Sequence, residues 1–421
     1  MNFRSYEIKD ICKIKSGKRL PKGTDFSEKP TKHKYIRARD IKNGKIDGSD
    51  LGYISEETQK KIERYIVNTN DIIITIAGTI GEVALVSKKF DGVNLTENAV
   101  RLTEFSKDVC PEFLAYILKS PERKEYMEQV AGGSAQPKLG IYKIEAIKVD
   151  LPDVQIQHKI ADILSTYDNL IENNQKQIKL LEEAAQRLYK EWFVDLQFPG
   201  YENTKIVDGV PEGWTRNPIQ DFISYEIGGG WGEELQNEKS MIPAYVIRGT
   251  DIKGLINGQL QSVPYRYHTA GSLETRKLLD GDIVFEVSGG SKTEGVARTV
   301  RIIDLMLKTW ENSVICASFC KRIKPIPNFS QYLYDSFRWM RLNGKTQEYD
   351  KKSASSIVNY RWKDFLAQEK ILKPDEETIS RYNNIAGTIY TKIIVCSCQI
   401  EQAKMKRDLL LPKLMSGEVE V

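Results

Sequence analysis

The densest chemistry in this chain is positive charge. Positions 9–45 hold Lys9, Lys13, Lys15, Lys18, Arg19, Lys22, Lys29, Lys32, Lys34, Arg37, Arg39, Lys42 and Lys45 against Asp10, Asp25, Glu28 and Asp40, a local excess of nine. Basic side chains at this density neutralise phosphates and release counterions, and arginine has the shape to read guanine edges. Lys18, Arg19, Lys22, Arg37 and Arg39, with Gln136 and Lys138 further on, are the candidate DNA contacts of the first half. A solvated face is the alternative reading.

Other chemistries find less support. Val287-Ser288-Gly289-Gly290-Ser291-Lys292-Thr293 ends like a phosphate loop, but Ser291 and Glu286 stand where a Walker A motif requires glycine. Asn217-Pro218 is followed by Ile219, so the Asn-Pro-Pro-aromatic motif of amino-methyltransferases is missing, as is Gly-x-Ser-x-Gly. Neither a glycine-rich cofactor loop nor a nuclease constellation of carboxylates and lysine is found, so no catalytic residues are assigned. The six cysteines are scattered, and Cys316 and Cys320 have no second pair at zinc-ligand spacing. Together with only three histidines, His33, His158 and His268, they lead us to expect no metal site and free thiols in a reducing cytosol.

The elements that must position these residues come in two copies. Tyr35-Ile36-Arg37-Ala38-Arg39-Asp40-Ile41 resembles Val246-Ile247-Arg248-Gly249-Thr250-Asp251-Ile252, and Asp71-Ile72-Ile73 resembles Asp282-Ile283-Val284, both 211 positions apart. In the same order, Gly81-Glu82-Val83-Ala84 matches Glu294-Gly295-Val296-Ala297, Thr96-Glu97-Asn98 matches Trp310-Glu311-Asn312, and Leu151-Pro152-Asp153 matches Lys373-Pro374-Asp375. An ordered series of this kind means a duplicated domain, with a period too long for a solenoid. β-branched runs at 71–76, 83–86, 282–287 and 296–303 read as strands, and 111–130 and 328–347 as helical stretches. The fold class expected is α/β (mixed α+β).

Each copy ends in a heptad-patterned stretch, the first uninterrupted by glycine or proline between Pro152 and Pro199. The first carries Ile160, Tyr167, Asn174, Leu181 and Leu188; the second carries Ile389, Ile393, Ile400 and Leu410. An asparagine at a core position, as Asn174 would be, fixes register at a cost in stability. The expected division is a recognition domain at 1–153, a helix at 154–198, a second domain at 199–373, and a second helix with its tail at 374–421. Two such helices can pair antiparallel. A helix of about 35–40 residues spans roughly 50–60 Å, enough to hold two readers about one DNA turn apart or slightly more. Where the first copy has its basic run, the second has Ile227-Gly228-Gly229-Gly230-Trp231-Gly232-Glu233-Glu234. Its candidate contacts are Trp231, Arg248, Lys292, Lys351 and Lys352.

The bulk numbers agree with a two-domain globular chain: 421 residues, 40% hydrophobic, 29% charged, net charge +4. No stretch of about 18 apolar residues and no apolar run behind Met1-Asn2-Phe3-Arg4 is present, so neither a spanning helix nor a signal peptide is expected and the location expected is cytoplasmic.

Over its whole length the chain resembles the specificity subunit of type I restriction-modification systems. The resemblance rests on Gly132-Gly133-Ser134-Ala135-Gln136, on Ile147 to Pro152 running into Ile156-Gln157-His158-Lys159-Ile160-Ala161-Asp162, on Tyr35 to Ile41, and on the tail Leu409-Leu410-Leu411-Pro412-Lys413-Leu414-Met415-Ser416-Gly417-Glu418-Val419. It implies two target-recognition domains, each reading half of a bipartite sequence in double-stranded DNA, and an antiparallel helix pair that acts as a ruler. It also implies two modification (methyltransferase) subunits and restriction (endonuclease/translocase) subunits as partners, with S-adenosylmethionine, ATP and Mg²⁺ bound by those partners and no cofactor on this chain. One departure is that Pro374-Asp375-Glu376-Glu377 lacks the glutamine that opens the first helix, Gln157. Two other classes stay open on the residues alone: a self-contained DNA-modifying enzyme, and a coiled-coil adaptor with no DNA function.

Overall fold

The computed structural model describes residues 2–132, 137–257, 259–289, 295–352 and 357–421. The chain divides into two compact units, one of Met1–Tyr167 with Arg407–Val421 and one of Asp168–Lys406.

In the first unit the run Ile72-Ile73-Ile74 has apolar residues on both faces, so it can only be a central strand covered on both sides. Ile72 and Ile74 enter one hydrophobic core and Ile73 another. The strand Ile72–Thr75 pairs antiparallel with Ala99–Thr103 and Val83–Leu85, and Lys13–Ser16 adds beyond Ala99–Thr103. A second, mixed sheet has the order Gly52–Ile54, His33–Ile36, Asn94–Leu95, its last pair parallel. Arg4–Glu7 pairs with Lys148–Leu151. Helices Pro111–Leu118 and Pro121–Ala131 both open on proline, which is pre-set for the first helical position.

The second unit repeats the topology of these three sheets. Its four-stranded sheet has the order Ile223–Gly228, Cys320–Pro325, Ile283–Glu286, Thr299–Arg301. Its mixed sheet has the order Tyr265–His268, Ile242–Ile247, Ser313–Cys316, again with the last pair parallel. Thr215–Pro218 pairs with Lys370–Lys373. A further sheet joins Ser288–Gly289, Val358–Tyr360 and Asp350–Lys352. The helical stretch read at 328–347 is the helix Ser330–Leu342 followed by a tighter turn, Lys345–Tyr349.

The strand registers correct two of the sequence matches. Val83 stands opposite Ile74 as Thr299 stands opposite Phe285, so the counterpart of Val83 is Thr299, not Val296. Leu95 pairs with Ile36 as Cys316 pairs with Ile247, so Asn312 precedes the short parallel strand while Asn98 follows it. Asn98 and Asn312 are therefore not equivalent. Extra chain in the second copy, including the helix Asp304–Leu307, shifts the register between these strands. The Leu151 and Lys373 match holds, since these face Arg4 and Thr215 in equivalent pairings.

Two long helices follow the two copies, Val154–Phe193 and Glu376–Ser416, the second continuing through Pro412. In the first unit Ile160, Ala161 and Leu164 share a core with Leu414, with Leu410 packed against it. In the second unit Tyr189, Trp192 and Phe193 pack on Tyr382, while Cys396 lies 4.0 Å from Gln177. Position rises along one helix as it falls along the other, so the helices pair antiparallel. The most buried line on the first is Leu164, Ile171, Ile178, Ala185 and Trp192, with heptad spacing. Of the residues singled out for pairing, Ile160, Asn174, Ile393 and Ile400 are buried; Tyr167, Leu181, Leu188, Ile389 and Leu410 are half-buried, on the shoulder of the seam.

Asn174 is 2% exposed and its Nδ2 has no hydrogen-bond partner among the described residues. An unsatisfied buried donor costs about 1–3 kcal/mol, which an apolar side chain of similar size avoids. Asn174→Leu is expected to raise stability by about 1–2 kcal/mol, read as a higher unfolding midpoint; a lower midpoint would mean that the amide is satisfied in solution.

Candidate nucleic-acid interface

Both copies place a loop at the same point, directly after the first strand of the four-stranded sheet. The N–H of Gly17 donates to Ala99 O (3.1 Å) and that of Lys18 to Leu95 O (2.8 Å). In the second copy Gly229 donates to Cys320 O (2.9 Å) and Gly230 to Cys316 O (2.9 Å). The approach is too close for a side chain: a Cβ on Gly17 would lie 2.0 Å from Thr96 O, and one on Gly229 2.2 Å from the carbonyls of Cys316 and Ala317. Gly229→Ala therefore forces backbone apart, and a cost of about 1–3 kcal/mol is expected, of the size of other overpacking changes. Hydrogen exchange in strand Ser313–Cys316 would read it; unchanged exchange there would contradict this close contact.

From that shared anchor the copies diverge. In the first, the loop offers Lys18, Arg19 and Lys22, all exposed. Lys18 Nζ lies 5.7 Å from the Tyr65 ring centre, and the Tyr35 hydroxyl donates to Lys18 O (2.6 Å), fixing the loop from beneath. Arg19, 80% exposed, donates through Nε to Glu97 Oε1 (2.7 Å). Burial raises the Glu97 pKa, but the Arg19 guanidinium and the Thr96 hydroxyl outweigh it and hold the carboxyl below its ordinary value. Arg19 is thus aimed outward by a carboxylate at its base.

In the second copy the loop presents Trp231. The guanidinium of Arg266 stacks 4.4 Å from its ring centre, and Glu233 exchanges backbone hydrogen bonds of 2.9 Å with Tyr267. Trp231, 39% exposed, is a flat stacking surface backed by a cation. Arg266 is one of the basic residues scattered through the second copy; its place between Tyr265 and Tyr267 on a strand beside the loop is visible only once that strand is folded.

Arg37 and Arg248 hold equivalent places in one repeated clip. Arg37 donates its backbone N–H to Asp40 Oδ2 (2.8 Å), Nε to Oδ2 (2.9 Å) and Nη2 to Oδ1 (2.9 Å). Arg248 does the same to Asp251, with backbone N–H to Oδ2 at 2.9 Å and Nη2 to Oδ1 at 2.7 Å. Arg37 is 18% exposed and Arg248 43%, so any DNA contact by them must use the N–H groups that the clip leaves over. Arg39, 68% exposed, lies 3.3 Å from Asp50. Lys138 is exposed and its backbone bridges to Ala77; Lys351 is exposed on strand Asp350–Lys352, which Lys352 ends. Gln136 and Lys292 lie outside the described residues.

The fold also draws acids onto the basic run. Glu104 takes both Lys13 and Lys15, Glu56 takes Lys32 and Asp47 takes Lys42. Among the described residues Lys18, Lys22, Lys29 and Lys34 make no ion pair, which places the uncompensated charge at the loop after Gly17 and its neighbourhood.

The comparisons with known proteins agree with this architecture. The type I restriction modification DNA specificity domain matches residues 2–183. The chain is 28% identical to the type I restriction enzyme MjaIX specificity subunit of Methanocaldococcus jannaschii, over 87% of this chain and 82% of that protein. It is 32% identical to the EcoBI specificity subunit of Escherichia coli over 30% of this chain and 26% of that protein. The crystal structure of a type I restriction-modification S subunit from M. genitalium has the same fold, with a TM-score of 0.65 at 16% identity, covering 98% of this chain and 96% of that one. With a specificity domain matching its first part, a relative aligned along most of its length and a shared fold, the chain is similar to type I restriction-modification specificity subunits.

Proposed function

We propose that this chain is the sequence-reading subunit of a type I restriction-modification complex and performs no chemistry itself. Each domain reads one half of a bipartite site in double-stranded DNA, and the paired long helices set the spacing between the halves. Two modification subunits and the restriction subunits assemble on it, methylate adenine and cleave, and they carry the S-adenosylmethionine, ATP and Mg²⁺. The setting is the cytoplasm; among the described residues no helix is long and apolar enough to cross a membrane.

The observation that carries this reading is a duplicated frame with unlike readers. The glycine anchor and the Arg-Asp clip recur at equivalent positions, yet one loop offers Lys18 and Arg19 and the other Trp231 backed by Arg266. Phosphate contacts position a protein on DNA while contacts to bases specify the sequence. Two copies of one frame with different outward residues suit two different half-sites.

Equilibrium dialysis with labelled S-adenosylmethionine separates this from a self-contained enzyme. The isolated chain is expected to bind none, and its complex with modification subunits is expected to bind cofactor and methylate DNA. Stoichiometric cofactor binding by the chain alone would overturn the reading.

A further inference from the structure

Where the helix Pro111–Leu118 begins, three side chains with metal-binding atoms converge from distant parts of the sequence. Cys110 caps that helix, Glu112 lies in its first turn, and His158 lies near the start of the first long helix. The Cys110 sulfur, a Glu112 oxygen and a His158 ring nitrogen all lie within 4.8 Å of one another, with Sγ to Oε2 at 3.7 Å. We propose that Cys110, Glu112 and His158 form a binding site for a divalent transition-metal cation of the zinc class.

The scaffold under these donors is fixed. Gln157, fully buried and next to His158, accepts the Cys110 backbone N–H (2.9 Å) and donates to Asp108 O (2.9 Å) and Pro152 O (2.8 Å). One amide therefore ties the cysteine-bearing turn to the histidine-bearing helix. Cys110 is buried, Glu112 half-buried and His158 exposed, so sulfur forms the floor and the other donors the rim.

Tetrahedral zinc, with bonds of about 2.3 Å to sulfur and 2.0–2.1 Å to nitrogen and oxygen, holds its ligands roughly 3.3–3.6 Å apart. Closure from the present separations, at most 4.8 Å, would fall to the rim side chains Glu112 and His158. The donor set selects the metal: thiolate and imidazole favour zinc-class ions over Mg²⁺ and Ca²⁺, which take oxygen ligands. Three protein ligands leave a fourth position for water. Binding requires the thiolate, so one proton passes from Cys110 to solvent per ion bound. Burial raises the Cys110 pKa, the Phe113 N–H opposes this, and the Glu112 carboxylate beside the sulfur adds to the rise. A bound ion would clamp the recognition domain to the first turns of its long helix.

The test is Co²⁺ titration of the reduced full-length chain after chelator treatment, followed by thiolate-to-metal absorption and by dialysis for stoichiometry. One equivalent with a thiolate band is expected, the band lost in Cys110→Ser and affinity at least tenfold weaker in His158→Gln. The second substitution is at an exposed position, so its loss reports on ligation and not on folding. No stoichiometric uptake by the reduced chain, or uptake and band unchanged in both variants, would overturn the proposal.

Discussion

Arg322→Met is expected to destabilise the second unit by about 3–5 kcal/mol, and Arg101→Met the first unit by as much, because each leaves a buried carboxylate without its partner. Arg322 Nε donates to Asp282 Oδ2 at 2.8 Å, with the side chains 7% and 2% exposed. Arg101 Nη1 donates to Asp71 Oδ2 at 2.9 Å, with 9% and 5%. Each aspartate also accepts a turn N–H, from Leu279 and from Asn68, both at 2.8 Å. The pair thus fastens a central strand to its neighbour and to the turn before it, in both copies.

Burial raises the Asp282 pKa, opposed by the Leu279 N–H and Arg322. Removing Arg322 raises it further. A carboxylate whose folded pKa lies above its unfolded value contributes stability below the unfolded pKa and loses it as pH rises through the folded pKa. The penalty of Arg322→Met should therefore be smaller near pH 4–5 than at pH 8. The double substitution Asp282→Asn with Arg322→Met should recover most of the loss, since asparagine still accepts the Leu279 N–H. Amide exchange across Ile283–Glu286 measures this unit by itself, which matters because a chain of two units need not unfold in one step. A loss below about 1 kcal/mol with no pH dependence would show that the pair is solvated.

The second large effect concerns the basic loop and rests on the proposed function. Lys18→Ala with Lys22→Ala, measured in the complex with modification subunits, should weaken DNA binding evenly across sequences. It should also make the salt dependence of log K shallower by roughly 2, at about 0.9 per phosphate contact. Arg19→Ala should behave differently. With Glu97 at its base and 80% of its side chain exposed, Arg19 is held outward, and a bidentate contact to a base is worth about 1–3 kcal/mol of discrimination. Its loss should relax the choice of base in one half-site and leave the other half-site unchanged. If all three substitutions leave the salt slope and the sequence choice untouched, the loop after Gly17 is not the reader.

Much of the frame was legible because its signals are local. The β-branched run at Asp71 to Ile76 and its counterpart at Asp282 mark central strands, and the segment Tyr35 to Ile41 and its counterpart Val246 to Ile252 stand out as one pattern written twice. Register over longer spans was not legible: the Asn98 and Asn312 match depended on similar letters, whereas hydrogen-bonded pairing of Leu95 with Ile36 and of Cys316 with Ile247 sets the true correspondence. Strand pairing is a long-range property and insertions hide it. The basic run was visible as composition, but its compensation was not, since Glu97 and Glu104 arrive from a distant strand region. Arg37 looked like a reader and is held by a carboxylate three residues on. Cys110 and His158 lie too far apart in sequence for any ligand spacing to show; the Gln157 amide and the core shared by Cys110, Phe113 and Ile160 bring their segments together.

The decisive measurement is adenine-methylation mapping by single-molecule sequencing in cells that express this chain with its neighbouring modification subunit, against cells lacking only this chain. The expected result is a new bipartite methylated motif that depends on this chain, with two unlike half-sites and a fixed spacer. No chain-dependent motif, with both proteins expressed, soluble and associated, would contradict the assignment of sequence reading to this chain.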